Sequence, residues 1–458
     1  MIRYHLPANF NNRRLTPCAA RGSTLGPDEL TRFGSRGGHT ARLVYLVFVA
    51  ALVLRAGWVL YRWKTVGPDF AYDDEHLHWQ LATNLVRDGA MVSDDGRYAA
   101  RMPVYPLFLA LFAWLGSSGI LVARLAQAIL GALTAALGSR LVDAAAGRRA
   151  AIVAGVLLCF DPFAVFFANL LLTEVIFTLL LIALLACVWR VSIGSPRAWG
   201  AWLGLLVLGP LAVMTRPSVA ALLPLLWLLV VVLSKARWCM LARVAWCPII
   251  LVTLMLPWGL RNRAVIGAPA WLSTNGGVTL YDAQGPQADG SSNQEFLRQT
   301  PELADLDEVA LDRALQRLAV QHMRADPGRV IRLAGKKFLR TWSPTPNVAE
   351  FNSGAAALAS AVYSIPVIAG AIVALTLAFA RRRPDTVRGH RTLLVLVWLP
   401  VLYFTLVHCV YIGSLRYRIP LMPCLAIATA CAFADRDQSR RNLSLDANTP
   451  AAPPPADA

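Results

Sequence analysis

Pro103-Val104-Tyr105-Pro106-Leu107-Phe108-Leu109-Ala110-Leu111-Phe112-Ala113-Trp114-Leu115 decides how this chain is threaded. The stretch is apolar, yet at about 13 residues it falls short of the roughly 20 an α-helix needs to cross hydrocarbon; that length suits a re-entrant or interfacial segment. Longer apolar runs lie on either side, near 41–61, 119–142, 149–167, 170–191, 198–215, 217–234, 242–260, 356–380, 391–412 and 416–434. If 103–115 does not cross, Arg148-Arg149, Arg190 with Arg197, Lys235 with Arg237, Arg381-Arg382-Arg383 and Arg440-Arg441 all fall on one side. The positive-inside rule makes that side the cytoplasm. If it crosses, most of those clusters fall outside. The reading is an all-α polytopic membrane protein of about ten transmembrane helices, both termini cytoplasmic, with 103–115 at the outer surface.

The composition agrees. The chain has 458 residues, is 56% hydrophobic and carries a formal charge of +17. In a soluble protein that excess of base would raise the question of nucleic acid. Here the arginines sit mostly in short links between apolar runs, where they set topology and meet lipid headgroups, so nucleic-acid binding is not expected. The eight cysteines fall mainly within the spans without paired spacing, and read as small apolar packing residues, not as a disulfide frame or metal site.

Residues 1–40 are polar and Arg-rich with no apolar core of a signal peptide, and are expected to form a disordered basic cytoplasmic extension. A transmembrane catalytic module, 41–260, would contain the first outer loop, 62–118. There Leu77, Leu81, Ala82, Leu85 and Val86 recur at helical spacing ahead of Gly89, which predicts a short interfacial helix. A second outer loop, 261–355, opens on the turn signature Ser273-Thr274-Asn275-Gly276-Gly277. It continues through two amphipathic helices, one with Leu311, Leu315, Leu318 and Ala319 on a face, the other with Val330, Leu333, Phe338 and Leu339 among basic residues and ending at Trp342. C-terminal transmembrane helices, 356–435, and a Pro/Ala-rich tail, 436–458, complete the chain.

Asp73-Asp74-Glu75 follows Tyr72 just beyond the first span, in a chain otherwise short of acids. Adjacent carboxylates beside a low-dielectric surface are held at a free-energy cost, and such clusters bind cations or take protons. Glu174, at the outer end of its apolar run, is a second acid that hydrocarbon would not tolerate without a partner. Arg101, Arg216 and Arg418 are candidate phosphate ligands, since the planar guanidinium fork matches phosphate oxygens, although arginines at span ends also snorkel to headgroups. His76 and His78 flank the acids. With Asp74 and Glu75 they could ligate a divalent metal, but an i, i+2 pair diverges across a helix, so metal is not favoured and no cofactor is assigned. Tyr105, Trp271 and Trp342 could stack on sugar or lipid, or serve as belt aromatics.

In this order, Asp74-Glu75, Arg101-Met102-Pro103-Val104-Tyr105-Pro106, Leu171-Leu172-Thr173-Glu174, Thr215-Arg216-Pro217, the Ser273–Tyr281 stretch and Arg416-Tyr417-Arg418-Ile419-Pro420 resemble the GT-C membrane glycosyltransferases. The likeness is to the bacterial relatives of protein O-mannosyltransferases and of the lipid A aminoarabinose transferase, over roughly 45–435. One departure is Met102-Pro103, where the family commonly has two prolines. The resemblance implies transfer of one sugar from a polyprenyl-phosphate carrier to a glycan, lipid or protein hydroxyl, at the outer face of the bacterial cytoplasmic membrane. It makes Asp74 the base, Glu75 its neighbour and Glu174 the second acid, with Arg101, Tyr105, Arg216, Tyr417 and Arg418 toward the donor.

Elementary chemistry supports that inventory. An alcohol attacking an anomeric carbon needs one general base. The leaving phosphate stays ionised, so cations stabilise it and no general acid is needed, unlike most glycosidases. A flippase or transporter of lipid-linked saccharides would instead show internal repeats and midplane charges, which are not found. A glycan ligase or polymerase using a diphosphate-linked donor remains an alternative.

Overall fold

The computed structural model describes residues 27–194, 198–234, 237–299, 303, 306–346, 353–380 and 388–434, with side chains from 38. Most of the expected basic extension (1–26), the whole tail (436–458) and the clusters at Arg197, Lys235, Arg381-Arg382-Arg383 and Arg440-Arg441 lie outside the described residues. Among the described residues the chain is helical without strands.

The first half comprises α1 (Pro27–Val66), α2 (Asp73–Asp88), α3 (Val104–Ala113), α4 (Ser117–Ala146), α5 (Arg148–Cys159), α6 (Pro162–Phe167), α7 (Glu174–Ser192), α8 (Ala198–Val213) and α9 (Leu222–Leu233). Then come α10 (Arg237–Val244), α11 (Trp246–Ile266), α12 (Gly276–Gln284), α13 (Phe296–Gln299), α14 (Glu308–Ala325) and α15 (Pro327–Thr341). The chain ends with α16 (Gly354–Ala380), α17 (Arg388–Val410), α18 (Leu415–Arg418) and α19 (Met422–Cys431). Six helices are long and apolar enough to cross a membrane, Gly38–Val66, Ser117–Ala146, Glu174–Ser192, Arg237–Ile266, Gly354–Ala380 and Gly389–Val410, and shorter apolar helices stand beside them. The protein is thus a multi-pass membrane protein.

Three of the apolar runs are interrupted. The run 149–167 breaks at Phe160-Asp161, where the Asp161 carboxylate accepts from the amides of Phe163 and Ala164 and Pro162 opens α6. The run 217–234 begins with a tight turn at Pro217–Val219, and 416–434 is split among α18, a turn at Ile419–Leu421 and α19. The segment at 103–115 forms only the ten-residue α3. It packs on α2 and α4.

α4 is the axis of the bundle and packs against α1, α5 and α7. Ala123, Ala128, Ala132 and Ala135 are sealed along it, small side chains that let helices approach closely where lipid offers no hydrophobic drive. Leu46, Val53 and Leu60 on α1, Ile249, Val252 and Leu256 on α11, and Leu358, Val362 and Ile365 on α16 stand exposed, as a hydrocarbon-facing surface requires.

The amphipathic helices form as the spacing predicts. α2 ends at Gly89, whose φ of 68° is left-handed and whose amide caps Leu85. α14 buries Leu315 and Ala319, and α15 buries Leu333 and ends at Trp342. The stretch after Ser273 turns once and then becomes α12, which packs on α14.

The two long connections are tied together. Glu308, opening α14, accepts from the amides of Tyr98 (3.2 Å) and Ala99 (3.1 Å) and from the Thr274 hydroxyl (2.9 Å). Arg261 donates to the carbonyls of Tyr98 and Met91, both at 2.6 Å. The backbone leading into Arg101 is therefore held from two sides.

Candidate active site

Asp74 lies in the first turn of α2, but its carboxylate does not cap that helix; the residue at the cap position is Tyr72, which makes no side-chain cap bond. Instead Arg101 Nη2 donates to Asp74 Oδ1 at 2.6 Å, and Arg416 Nη1 donates to Asp74 Oδ2 at 2.6 Å. Two guanidiniums, and not the backbone amides of the helix N-terminus, thus keep Asp74 ionised. Burial pushes its pKa up, but Arg416 and Arg101 outweigh that and hold it well below the ordinary carboxylate range.

Glu174, the first residue of α7, is sealed. Its Oε1 accepts from Arg416 Nε and, at 3.3 Å, from Arg216 Nη2. Arg416 thus spans both acids. Arg216, in the turn after α8, stands over the rings of Phe177 (5.4 Å) and Tyr417 (5.7 Å), and Tyr417 stacks on His408 at 4.1 Å. Three arginines and two carboxylates leave one net positive charge, the complement of a phosphodiester.

The cluster borders a cavity of about 600 Å³ lined by Asp74, His78, Arg101, Arg216, Arg416 and Tyr417, with Thr173, Ser273, Asn275 and Tyr411 beyond them. Arg190, in the last turn of α7, lies 16 residues from Glu174 and so roughly 24 Å away at 1.5 Å per residue.

The sequence expectations divide here. Asp74, Arg101, Arg216 and Tyr417 line the cavity and Glu174 is bonded to it through Arg416 and Arg216. Three others are placed elsewhere. Glu75 is fully buried; its Oε1 accepts from the Ala71 amide (2.9 Å) and its Oε2 from the Leu171 amide (2.7 Å), so it fastens α2 to the bend before α7. Burial raises its pKa, against the pull of those amides. Tyr105 is also sealed, its hydroxyl donating to Gln127 Oε1 at 2.8 Å. Arg418 points away from the cavity: it donates to the Ser343 carbonyl (2.8 Å) and the Ser364 hydroxyl (3.2 Å) and stands over Phe163 and Trp342.

Arg416 is the residue that sequence reasoning passed over in favour of Arg418. Residues two apart on a helix do not share a face, so only one of the pair can reach the acids. Ser414 caps α18 through the Arg416 amide and fixes which one does. His78 was seen only as a metal candidate, although its i, i+4 relation to Asp74 puts both on one face. Among the described residues no group of three or more His, Cys, Asp or Glu side chains is placed to hold a metal ion.

Residues 100–258 match the family described as dolichyl-phosphate-mannose-protein mannosyltransferase. No curated protein matches the chain. Among solved structures, ArnT from Cupriavidus metallidurans bound to undecaprenyl phosphate is similar at 17% identity and a TM-score of 0.41, over 86% of this chain and 77% of that one. The archaeal oligosaccharyltransferase AglB from Archaeoglobus fulgidus, in complex with an inhibitory peptide and a dolichol-phosphate, is similar at 14% identity and a TM-score of 0.47, over 91% of this chain and 53% of its own. Arg101, Glu174 and Arg216 thus all lie within the region that is similar to the mannosyltransferase family, and the resemblance to GT-C membrane glycosyltransferases read from the motifs is borne out.

Proposed function

We propose that the protein moves one sugar, with inversion, from a polyprenyl-phosphate carrier to an acceptor hydroxyl at the outer face of the bacterial cytoplasmic membrane. The observation that carries this reading is Arg416 joining Asp74 to Glu174 in a cluster of three arginines and two carboxylates, one net positive charge, that borders the cavity. The donor phosphodiester would lie against Arg101, Arg416 and Arg216, with its lipid tail toward hydrocarbon. The acceptor oxygen attacks the anomeric carbon as Asp74 takes its proton, the bond from that carbon to the phosphate oxygen breaks, and the electron pair leaves on polyprenyl monophosphate. That product gains a negative charge as it forms. The guanidiniums oppose this charge more strongly in the transition state than in the bound donor, the condition for catalysis. Glu174 is a positioning residue that keeps Arg416 and Arg216 aimed.

The outward placement rests on the distribution of basic residues, Arg148, Arg149, Arg190 and Arg237 lying at helix ends remote from the acids. The test is release of polyprenyl monophosphate from a monophosphate-linked sugar donor by purified protein, only when acceptor is present. Reporter fusions near Asp95 and Gln294 should read outside, and near Arg149 inside. A cytoplasmic signal at Gln294 would overturn the orientation.

A further inference from the structure

A second cavity, of about 330 Å³, borders the link from α1 to α2 and shares no lining residue with the first. Val66, Asp69 and Ala71, all exposed, form its mouth, and Arg124, Asn169 and Leu170, all buried, form its floor. Arg124 is 1% exposed. Its Nη1 donates to the Gly67 carbonyl at 3.1 Å and its Nη2 to the Asp69 carbonyl at 2.9 Å, which fixes the guanidinium against the link. Its Nε is buried without a partner, and so is Oδ1 of Asn169, a residue 6% exposed. An orphaned donor and an orphaned acceptor on one cavity floor both cost free energy unless a ligand bonds them.

Charge and position narrow the ligand. Arg62 brings a second guanidinium to the wall, and Asp69 is the one carboxylate among the lining residues, so one positive charge is left over. Glu75 stands behind the wall with its two oxygens on the amides of Ala71 and Leu171. The complement is a phosphodiester that carries a hydrogen-bond donor for Asn169. A hydroxyl fits that place better than an ammonium, because Asp69, which could pair with an ammonium, is at the mouth and Asn169 is on the floor beside Arg124. The bilayer is the source: Val66 ends the apolar helix Gly38–Val66, and Trp58, Tyr61 and Trp63 on its last turns are rings of the kind that sit at headgroup level.

We propose that this cavity is a phospholipid site, taking an anionic headgroup that ends in a hydroxyl, as in phosphatidylglycerol. The phosphodiester lies between Arg62 and Arg124 Nε, and the headgroup hydroxyl donates to Asn169 Oδ1. The bound lipid braces the bend at Asn169–Leu171, whose amide holds Glu75 and which leads into Glu174.

The test uses full-length protein, purified in detergent and stripped of lipid, in native mass spectrometry with phosphatidylglycerol, phosphatidylethanolamine and phosphatidylcholine of matched chains. Phosphatidylglycerol should bind about tenfold or more tightly than either of the others, and Arg62→Gln and Asn169→Leu should each weaken it by about tenfold or more. Lys64→Gln removes the same charge from an exposed neighbour that does not line the cavity, and should leave binding unchanged. Asn169→Leu should also hold or raise the melting temperature of the lipid-free protein, since it removes a sealed acceptor that has no partner. If that variant melts early instead, Arg62→Gln against Lys64→Gln decides alone. Equal binding of the three lipids, equal losses in Arg62→Gln and Lys64→Gln, or full binding in a folded Asn169→Leu would refute the site. Glycerophosphoglycerol, the same headgroup without acyl chains, stabilising the protein as much as the lipid does would refute the lipid as its ligand in favour of a soluble phosphate ester. None of these readouts involves turnover, so they stand or fall apart from the transferase reading.

Discussion

Arg416 donates to Asp74 at 2.6 Å from a position 342 residues further along the chain, while its Nε is bonded to Glu174. One guanidinium therefore fixes the distance between the acid that would take the proton and the acid that would aim the phosphate ligands. Arg416→Ala should lower kcat by about 10²-fold or more, the loss expected for an oxyanion-stabilising donor, and Arg416→Lys should recover part of it, because charge is kept and the fork is lost. Arg418→Ala should act differently. It leaves the Ser343 carbonyl and Ser364 hydroxyl without their partner in a sealed site, so melting temperature should fall while the activity of the folded fraction holds. Equal loss of kcat in the two variants at equal stability would refute the distinction.

The same pairing has a consequence for pH. In the free protein Arg416 and Arg101 keep the Asp74 carboxyl well below its usual range, where it is ionised but a weak base. A donor phosphate that draws those guanidiniums off raises its proton affinity, so Asp74 becomes a better base once the donor is bound. The sign follows. The acid limb of kcat, which reports the bound complex, should lie about one pH unit or more above the acid limb of kcat/KM for the donor, which reports the free enzyme. Profiles from about pH 3 to 8 decide it: kcat should fall on the acid side where kcat/KM stays level, and two profiles that both stay level would mean that the arginines never leave Asp74.

Neighbouring acids should separate cleanly. Asp74→Asn removes the proton acceptor at nearly constant shape and should cost about 10²-fold or more in turnover with donor binding nearly intact. Glu75→Gln places an amide NH₂ against the amide N–H groups of Ala71 or Leu171. It should cost stability, by about 1–3 kcal/mol for a sealed unsatisfied donor, and reduce turnover only through loss of folded protein. Single-turnover assays normalised to folded fraction, beside melting curves, check both.

Gly413 tests how rigidly Arg416 is placed. A β-carbon there would stand 2.5 Å from the Lys337 Cα and 2.6 Å from its carbonyl oxygen, so backbone and not a flexible tip must move. Gly413→Ala should displace the turn leading into α18 and cut turnover by about tenfold or more, since small misplacements of catalytic groups are expensive. The same exchange at Gly335, where a β-carbon meets nothing within 4 Å, should leave activity unchanged.

Much of this arrangement could be read beforehand, and for a physical reason. Hydrocarbon demands long apolar runs and penalises lone charges, so the spans and Asp74, Arg101, Glu174 and Arg216 stand out from a sequence in which few residue types are tolerated. The helix α2 and its stop at Gly89 follow from local spacing. What local spacing does not contain is the direction in which a side chain points within a short turn. Arg416 and Arg418 offer the same chemistry two positions apart, and only packing of α18 against α15 and α19's entry selects between them. Glu75 is a parallel case: its proximity to Asp74 in sequence says nothing about the Leu171 amide it meets across the fold.

Because Glu308 grips Tyr98, Ala99 and Thr274 together, the stretch before Arg101 is built jointly by parts of the chain made early and late in synthesis. A nascent chain emerging as far as residue 258 would carry Arg101, Glu174 and Arg216 but neither the grip of Glu308 nor the bridge from Arg416. Such an intermediate cannot assemble the charge cluster. Catalytic competence would therefore arrive late, only after α14 and then α18 have docked, and the ribosome-bound precursor would carry no assembled site.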